Sequence, residues 1–340
     1  MRRVRDGSGR LLRDLRISVT DRCNLRCVYC MPKQAFGRFF QFIPHDEMLS
    51  FEEISRLAAI FVRLGVEKIR LTGGEPLLRR HIETLIVQLR ELKTPDGRDI
   101  DLTMTTNGSL LSGRASALYR AGLRRITISL DALDDDIFRR MNDMNFPVTA
   151  VLNGIASARA AGFSPVKVNM VVKKGSNDSE ILPIARLFKG TPVIPRFIEY
   201  MDVGTLNQWK LDEVLPSDAL VQMIDREMPL EERESNYAGE TASRWCYKDG
   251  QGEIGVIASV TRAFCKGCTR ARLSTTGILY PCLFATEGFD LKTPIREKRS
   301  DEEIAESIVA YWRGREDRYS ELRHTRTFPG NKIEMSYIGG

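Results

Sequence analysis

The chain has 340 residues, 42% of them apolar and 28% charged, with a formal net charge of +6. These totals fit a folded globular protein and exclude a disordered one. No apolar run approaches the roughly 20 residues of a membrane span, and the charge is too mild to mark a nucleic-acid binder, although it suits an anionic substrate gripped by local arginines. The basic N-terminus lacks the apolar middle and small-residue cleavage site of an export signal. A cytoplasmic protein with no membrane or nucleic-acid partner is therefore expected.

Short β-branched runs at 15–19, 68–72, 101–105, 125–130, 166–172 and 193–200 alternate with helical patterns at 52–64, 82–92, 114–121 and 151–161. Two of the helical patterns stop at Gly65 and Gly162, each followed directly by a strand pattern. Parallel neighbours need a crossover, so this rhythm predicts a parallel sheet. Six units are too few for a closed eight-fold barrel; the expected fold is α/β, an incomplete (βα)6 TIM-type barrel with an open side. Chemistry in such folds gathers where strands end. Unusual segments follow strands two, three and four there: Gly73-Gly74-Glu75-Pro76, Thr106-Asn107-Gly108, and Ser129 with Asp131. The rhythm breaks after residue 202. The stretch 231–240 reads as a polar loop, and 245–284 as short strands and turns. The expected division is a partial barrel at 1–202 and a C-terminal region at 203–340, a layer that closes the open side.

Seven cysteines stand at 23, 27, 30, 246, 265, 268 and 282. Their odd number and clustering argue against a disulfide framework and for metal. Cys23, Cys27 and Cys30 form CxxxCxxC directly after strand one. Three thiolates hold three irons of a cubane cluster and leave the fourth iron free to chelate a small molecule. A structural zinc site wants four ligands, and the nearest histidine, His45, belongs to another stretch. Cys265 and Cys268 form CxxC, with Cys282 further on. Here two readings stay open: a zinc site completed by Cys246, or a second cluster with an open iron. Arg270-Ala271-Arg272 follows at once, and its arginines fall on one side of a strand, where they could fork onto an anion. A solvated basic strand is the plainer alternative.

The CxxxCxxC group, with Tyr29 in the aromatic slot, resembles the signature of the radical S-adenosylmethionine superfamily, and Gly73–Pro76 resembles its second motif. Stretches including 15–21, 69–76, 105–108, 166–169, 196–201, 252–255, 264–273 and 282–284, and the closing Ser336-Tyr337-Ile338-Gly339-Gly340, closely resemble the GTP 3′,8-cyclase family, which opens molybdenum-cofactor biosynthesis. That resemblance implies two 4Fe-4S clusters, one on Cys23, Cys27 and Cys30, the other on Cys265, Cys268 and Cys282. It implies S-adenosylmethionine lined by Tyr29, Gly74, Ser129 and Met201. GTP would be contacted by Arg16, Arg70, Thr105, Lys167, Arg270, Ala271 and Arg272, with Arg196 also facing the cavity. The cations suit a triphosphate of about four negative charges. By the same likeness, a 5′-deoxyadenosyl radical takes hydrogen from the ribose C3′, the carbon radical attacks C8 of guanine, and a second reduction gives 3′,8-cyclo-7,8-dihydro-GTP. The product would pass to cyclic pyranopterin monophosphate synthase, the chain would be a homodimer, and the Gly-Gly tail would thread into the cavity. Cys246, outside these motifs, is expected as a small core residue. Segments 31–44 and 206–239 carry no motif.

Overall fold

A computed structural model describes residues 3–237, 239–323 and 331–340; Met1 and Arg2 of the basic N-terminus and Ala238 of the segment 206–239 lie outside the described residues. The six sequence-predicted strands are β1 Asp14–Ser18, β2 Lys68–Thr72, β3 Asp101–Thr106, β4 Arg125–Ser129, β5 Val166–Val172 and β6 Val193–Glu199. They lie side by side in that order, all parallel. Helices return the chain between them. Phe51–Arg63 begins at a capping box of Ser50 and Glu53, which satisfies two backbone donors that the helix itself cannot. Val148–Ala160 begins immediately after Pro147, whose missing N–H costs nothing at a helix start. Asp134 caps a further helix, Asp135–Asn142, by accepting from the Ile137 amide.

The remaining strands are β7 Leu230–Arg233, β8 Ser243–Tyr247, β9 Glu253–Ile257, β10 Arg270–Leu273, β11 Ile278–Tyr280 and β12 Phe289–Asp290. The sequence predicts a C-terminal layer that closes the open side. The structure builds this region onto the sheet itself, with β10 parallel to β1 and β9 parallel to β6. Eight parallel strands thus form an arc, and antiparallel hairpin partners extend it at each end in the order β12-β11-β10-β1-β2-β3-β4-β5-β6-β9-β8-β7. Residues 231–233, expected as loop, pair with β8.

The arc separates two faces by the period-2 alternation of strands. Leu15, Ile17, Ile69, Leu71, Met104, Ile126, Ile128, Val166, Val168 and Met170 point outwards. There they pack against helical Leu57, Ile60, Phe61, Leu85 and Ile184 as one buried core. The alternate positions face the lumen. Register aligns Arg272, Arg16, Arg70, Thr103 and Arg125 across β10, β1, β2, β3 and β4, and Ser129, Asn169 and Arg196 across β4, β5 and β6. Closed barrels of this type fill the lumen with branched apolar side chains; this one lines it with cations and hydroxyls.

Candidate active site

The first cysteine group lies on the turn after β1, at the strand C-termini. Backbone bonds fasten that turn to the end of helix Asp135–Asn142, from the Arg26 amide to the Asn142 carbonyl at 2.9 Å and from Val28 to Met141 at 3.0 Å. The Arg26 guanidinium donates to the carbonyls of Cys23 and Leu25, both at 2.8 Å. Cys23 Sγ accepts from the Leu25 amide at 3.4 Å and Asn107 Nδ2 at 3.7 Å. Gly74 lies against this turn, its amide 2.7 Å from the Thr20 carbonyl, and a Cβ there would run into the Arg22 carbonyl. No other residue allows that approach. The buried Glu75 carboxylate accepts from Thr106 Oγ1 and the Asn107 amide, each at 2.7 Å, and from the Leu77 amide at 3.0 Å. It thereby ties the glycine motif to the turn after β3. Tyr29 donates its hydroxyl to Asp131 Oδ2 at 2.8 Å. Burial pushes Glu75 up to about 7 and Asp131 up to about 6. Burial first, and Glu75 next, push the Cys23 thiol up to about 11; Cys27 and Cys30 are raised by burial and neighbouring acids and thiols.

The second group is built by the β10–β11 hairpin, which returns Cys282 towards Cys268, while a single 3-10 turn carries Cys265. Cys268 Sγ accepts from Arg270 Nη2 at 3.3 Å and Nε at 3.4 Å, and from Arg315 Nη2 at 3.4 Å. Burial alone would raise this thiol, but Arg270 and Arg315 bring it down to about 6. Burial pushes Cys282 up to about 12.

One cavity connects the two groups. All six thiols line it, together with Tyr29, Gly74, Ser129, Met201, Thr105, Arg16, Lys68, Arg70, Arg196, Arg270 and Arg272. Its cations crowd one another out of water. Arg16 is lowered by burial and by Arg272, Arg70 and Arg270, and Arg70 by burial and Arg125. Burial holds Arg196 and Arg272 at about 10, Lys68 at about 8 and Lys167 at about 7, each with help from a neighbouring guanidinium. Such a group relaxes when a polyanion sits among it. Thr105 and Thr127 accept from Arg70 Nη1 at 2.7 and 3.2 Å and so aim it.

Two predicted contacts fall elsewhere. Lys167 lies on the lumen face two residues before Asn169, outside the cavity lining. Ala271 turns its side chain away from the cavity. It pairs with Leu15, is fully buried, and belongs to the outer core, because it alternates with the two arginines. Cys246 is corrected, since it is half-buried on β8, opposite Glu231, rather than in the core, and it does not line the cavity. The C-terminal Gly340 does line it. Arg272 donates to the Gly339 carbonyl, and a Cβ on Gly339, at φ +77, would strike Thr72.

Sequence reasoning missed Lys68 and Arg125, although stepping by two from Arg70 and Thr127 would have found them. It also missed Asn169, two residues beyond Lys167, as well as Asp131 as the partner of Tyr29, and Arg315.

All six thiols of the two groups are free. Among the described residues no three His, Cys, Asp or Glu side chains converge on a point, as a single chelated ion requires. Each triad borders a shared space instead. Three thiolates per group are the donor set of a cubane with one iron left open, and the residues fit that centre.

Comparison with known proteins agrees with this geometry. Residues 17–188 match the radical SAM superfamily and residues 194–321 match Molybdenum Cofactor Synthesis C. The GTP 3′,8-cyclases of Acidothermus cellulolyticus and Staphylococcus saprophyticus are each 47% identical to this chain, over 99% of it and 99% of their own length. Among solved structures, Streptococcus suis SuiB bound to S-adenosylmethionine gives a TM-score of 0.64 at 16% identity, covering 94% of this chain and 69% of that one. SuiB bound to the precursor peptide SuiA gives 0.63 at 15%, covering 94% and 68%. These two likenesses establish a common fold. No helix among the described residues is long and apolar enough to cross a membrane. With two cysteine triads facing each other through a cation-lined cavity, and near-half identity from end to end, this chain belongs to the GTP 3′,8-cyclase family of the radical SAM superfamily.

Proposed function

We propose that this chain converts GTP to (8S)-3′,8-cyclo-7,8-dihydro-GTP, the first step of molybdenum-cofactor biosynthesis. The observation that carries the reading is the one cavity lined by both triads and by seven cationic side chains, Arg16, Lys68, Arg70, Arg196, Arg270, Arg272 and Arg315. Cys23, Cys27 and Cys30 would hold one 4Fe-4S cluster, beside Tyr29, Gly74, Ser129 and Met201 for S-adenosylmethionine. When bound, that pair supplies a 5′-deoxyadenosyl radical. Cys265, Cys268 and Cys282 would hold a second 4Fe-4S cluster facing the guanine. The work thus divides between residues 1–202 and 203–340.

The chain's own side chains hold and orient. Arg16, Arg70, Arg196, Arg270 and Arg272 neutralise the triphosphate, Lys167 adds its charge from further down the same lumen face, Thr105 aims Arg70, and Ala271 keeps the two arginines on one face with its own methyl in the core. Fixing the ribose against the cofactor selects one hydrogen for transfer. The enclosing strands exclude water, which a carbon radical requires. We extend the reading to a homodimer in the cytoplasm that hands its product to cyclic pyranopterin monophosphate synthase.

Anaerobically reconstituted protein should contain about eight irons and eight sulfides per chain. With GTP, S-adenosylmethionine and a reductant it should form 5′-deoxyadenosine and the cyclised nucleotide together. Stoichiometric zinc in place of iron, or no 5′-deoxyadenosine, would refute the reading.

A further inference from the structure

Arg315 carries no motif, yet it is among the most enclosed cations in the chain, its side chain 1% exposed. It follows helix Asp301–Arg313 and lies over the Trp312 ring at 4.5 Å. Its Nη1 donates to the Cys268 carbonyl at 2.9 Å and its Nη2 to Cys268 Sγ at 3.4 Å. Asp317 meets its Nε at 3.4 Å, and Asp6 stands 3.9 Å from Nη1. Asp6 is itself held by Arg10 Nε at 2.5 Å, and Arg10 Nη1 reaches the Cys265 carbonyl at 3.3 Å and the Asp317 carbonyl at 2.6 Å. The N-terminal segment and the chain just after the last long helix therefore meet beside the second triad, where Arg315 and Asp317 also line the cavity. They set one guanidinium against each of two cysteine carbonyls.

Arg270 also donates to Cys268 Sγ, but it reaches Thr241 Oγ1 at 2.7 Å and is assigned above to the nucleotide. Arg315 is tethered by two carboxylates and a ring. It is the fixed partner of that sulfur.

We propose that Arg315 is a positioning residue for the second cluster, clamping Cys268 through both its carbonyl and its sulfur and raising that cluster's reduction potential through its N–H···S bond and its charge. Reduction adds a negative charge to the cluster. A donor and a cation at a ligand sulfur stabilise the reduced form more than the oxidised one. The proposal rests on the two-cluster reading given above. A purely structural clip between the two chain ends would leave the potential unmoved.

The test uses anaerobic holoenzyme in four forms: wild type, Arg315→Lys, Arg315→Gln and Arg318→Gln. The last removes the same charge from a half-exposed residue paired only with Glu321 among the ion pairs of the described residues. Iron and sulfide are counted, and each cluster's midpoint is read by redox titration followed by electron paramagnetic resonance. The second midpoint should fall in Arg315→Gln and fall less in Arg315→Lys, which keeps the charge and loses the fork. The first midpoint should not move, and Arg318→Gln should match wild type. Wild-type midpoints in both Arg315 variants, with or without lower thermal stability, would overturn the proposal. Equal shifts of both clusters would overturn it too. If Arg315→Gln does not fold, Arg315→Lys decides alone, and loss of the second cluster from that variant would overturn the redox assignment. A wild type lacking the second cluster would refute the two-cluster reading itself. Two wild-type clusters with an unmoved potential refute only the role of Arg315.

Discussion

Beyond burial, carboxylates raise the thiols of Cys23, Cys27 and Cys30, whereas Cys268 of the second triad is held by two guanidinium groups. Glu75, Asp131 and Glu334 all act to raise thiols of the first triad. Arg270 and Arg315 bond directly to Cys268 in the second. The first triad and Cys268 thus lie in opposite fields within one cavity. A negative surrounding makes a cluster a stronger reductant, which suits the cleavage of a sulfonium; a positive one suits a centre that meets an anionic nucleotide. The difference teaches that the fold distinguishes two like cysteine triads by their charged neighbours, not by the cysteines themselves.

The sharpest way to break this comparison is to remove one ligand from each triad. Cys23→Ala should abolish 5′-deoxyadenosine formation and lower iron by about half. Cys268→Ala should lower iron equally, yet leave 5′-deoxyadenosine while the cyclised nucleotide disappears. Product analysis by chromatography with metal counting separates the two outcomes, and identical profiles would erase the division of labour.

A smaller effect comes from the cations between the triads. Arg70→Met removes one charge-assisted bond to the triphosphate, worth about 1.5–3 kcal/mol. GTP binding to the ligand-free protein, followed by calorimetry, should weaken by about 10–150-fold. S-adenosylmethionine affinity should hold, because Arg70 lies on the nucleotide side.

The least effect is one of pH. Lys68 at about 8 and Lys167 at about 7 lie below the ordinary lysine value of 10.5 because burial and adjacent guanidiniums disfavour their charge. A triphosphate restores that charge, so binding takes up protons. GTP affinity should fall as pH rises from about 7 to 9, by at most about tenfold per unit for each lysine. Lys167→Met should flatten the lower part of that fall. Stability of the ligand-free protein runs the other way. Between about 7 and 10.5 the unfolded chain binds more protons than the folded one, so stability rises with pH across that window, and the full penalty stands below it. Chemical denaturation at several pH values checks the sign.

The CxxxCxxC and CxxC groups stood out in the sequence because their spacing is local, whereas Cys282 joins Cys268 only through the β10–β11 hairpin. The strands β1 to β6 were legible because β-branched runs alternate with helix-period stretches. Strand β7 was not, since Leu230-Glu231-Glu232-Arg233 shows no apolar alternation and exists by pairing Leu230 with Tyr247. The insertion of β9 and β10 into the sheet depends on register with β6 and β1, which no local pattern encodes. Asp131 found Tyr29 and Arg315 found Cys268 for the same reason; each pair is distant in sequence and meets only on folding. Ala271 shows the converse. Its neighbours suggested a site residue, and strand alternation turned it into the core.

The placement of β9 and β10 on opposite flanks of the first six strands governs how the enzyme is made. A nascent chain emerging only as far as β6 offers two bare edges, at β1 and β6, both templates for pairing with other chains. The β6 edge waits for β9 and the β1 edge for β10, so the first six strands stay open until the C-terminal region arrives. Premature termination after β6 yields an aggregation-prone sheet, not a smaller catalyst.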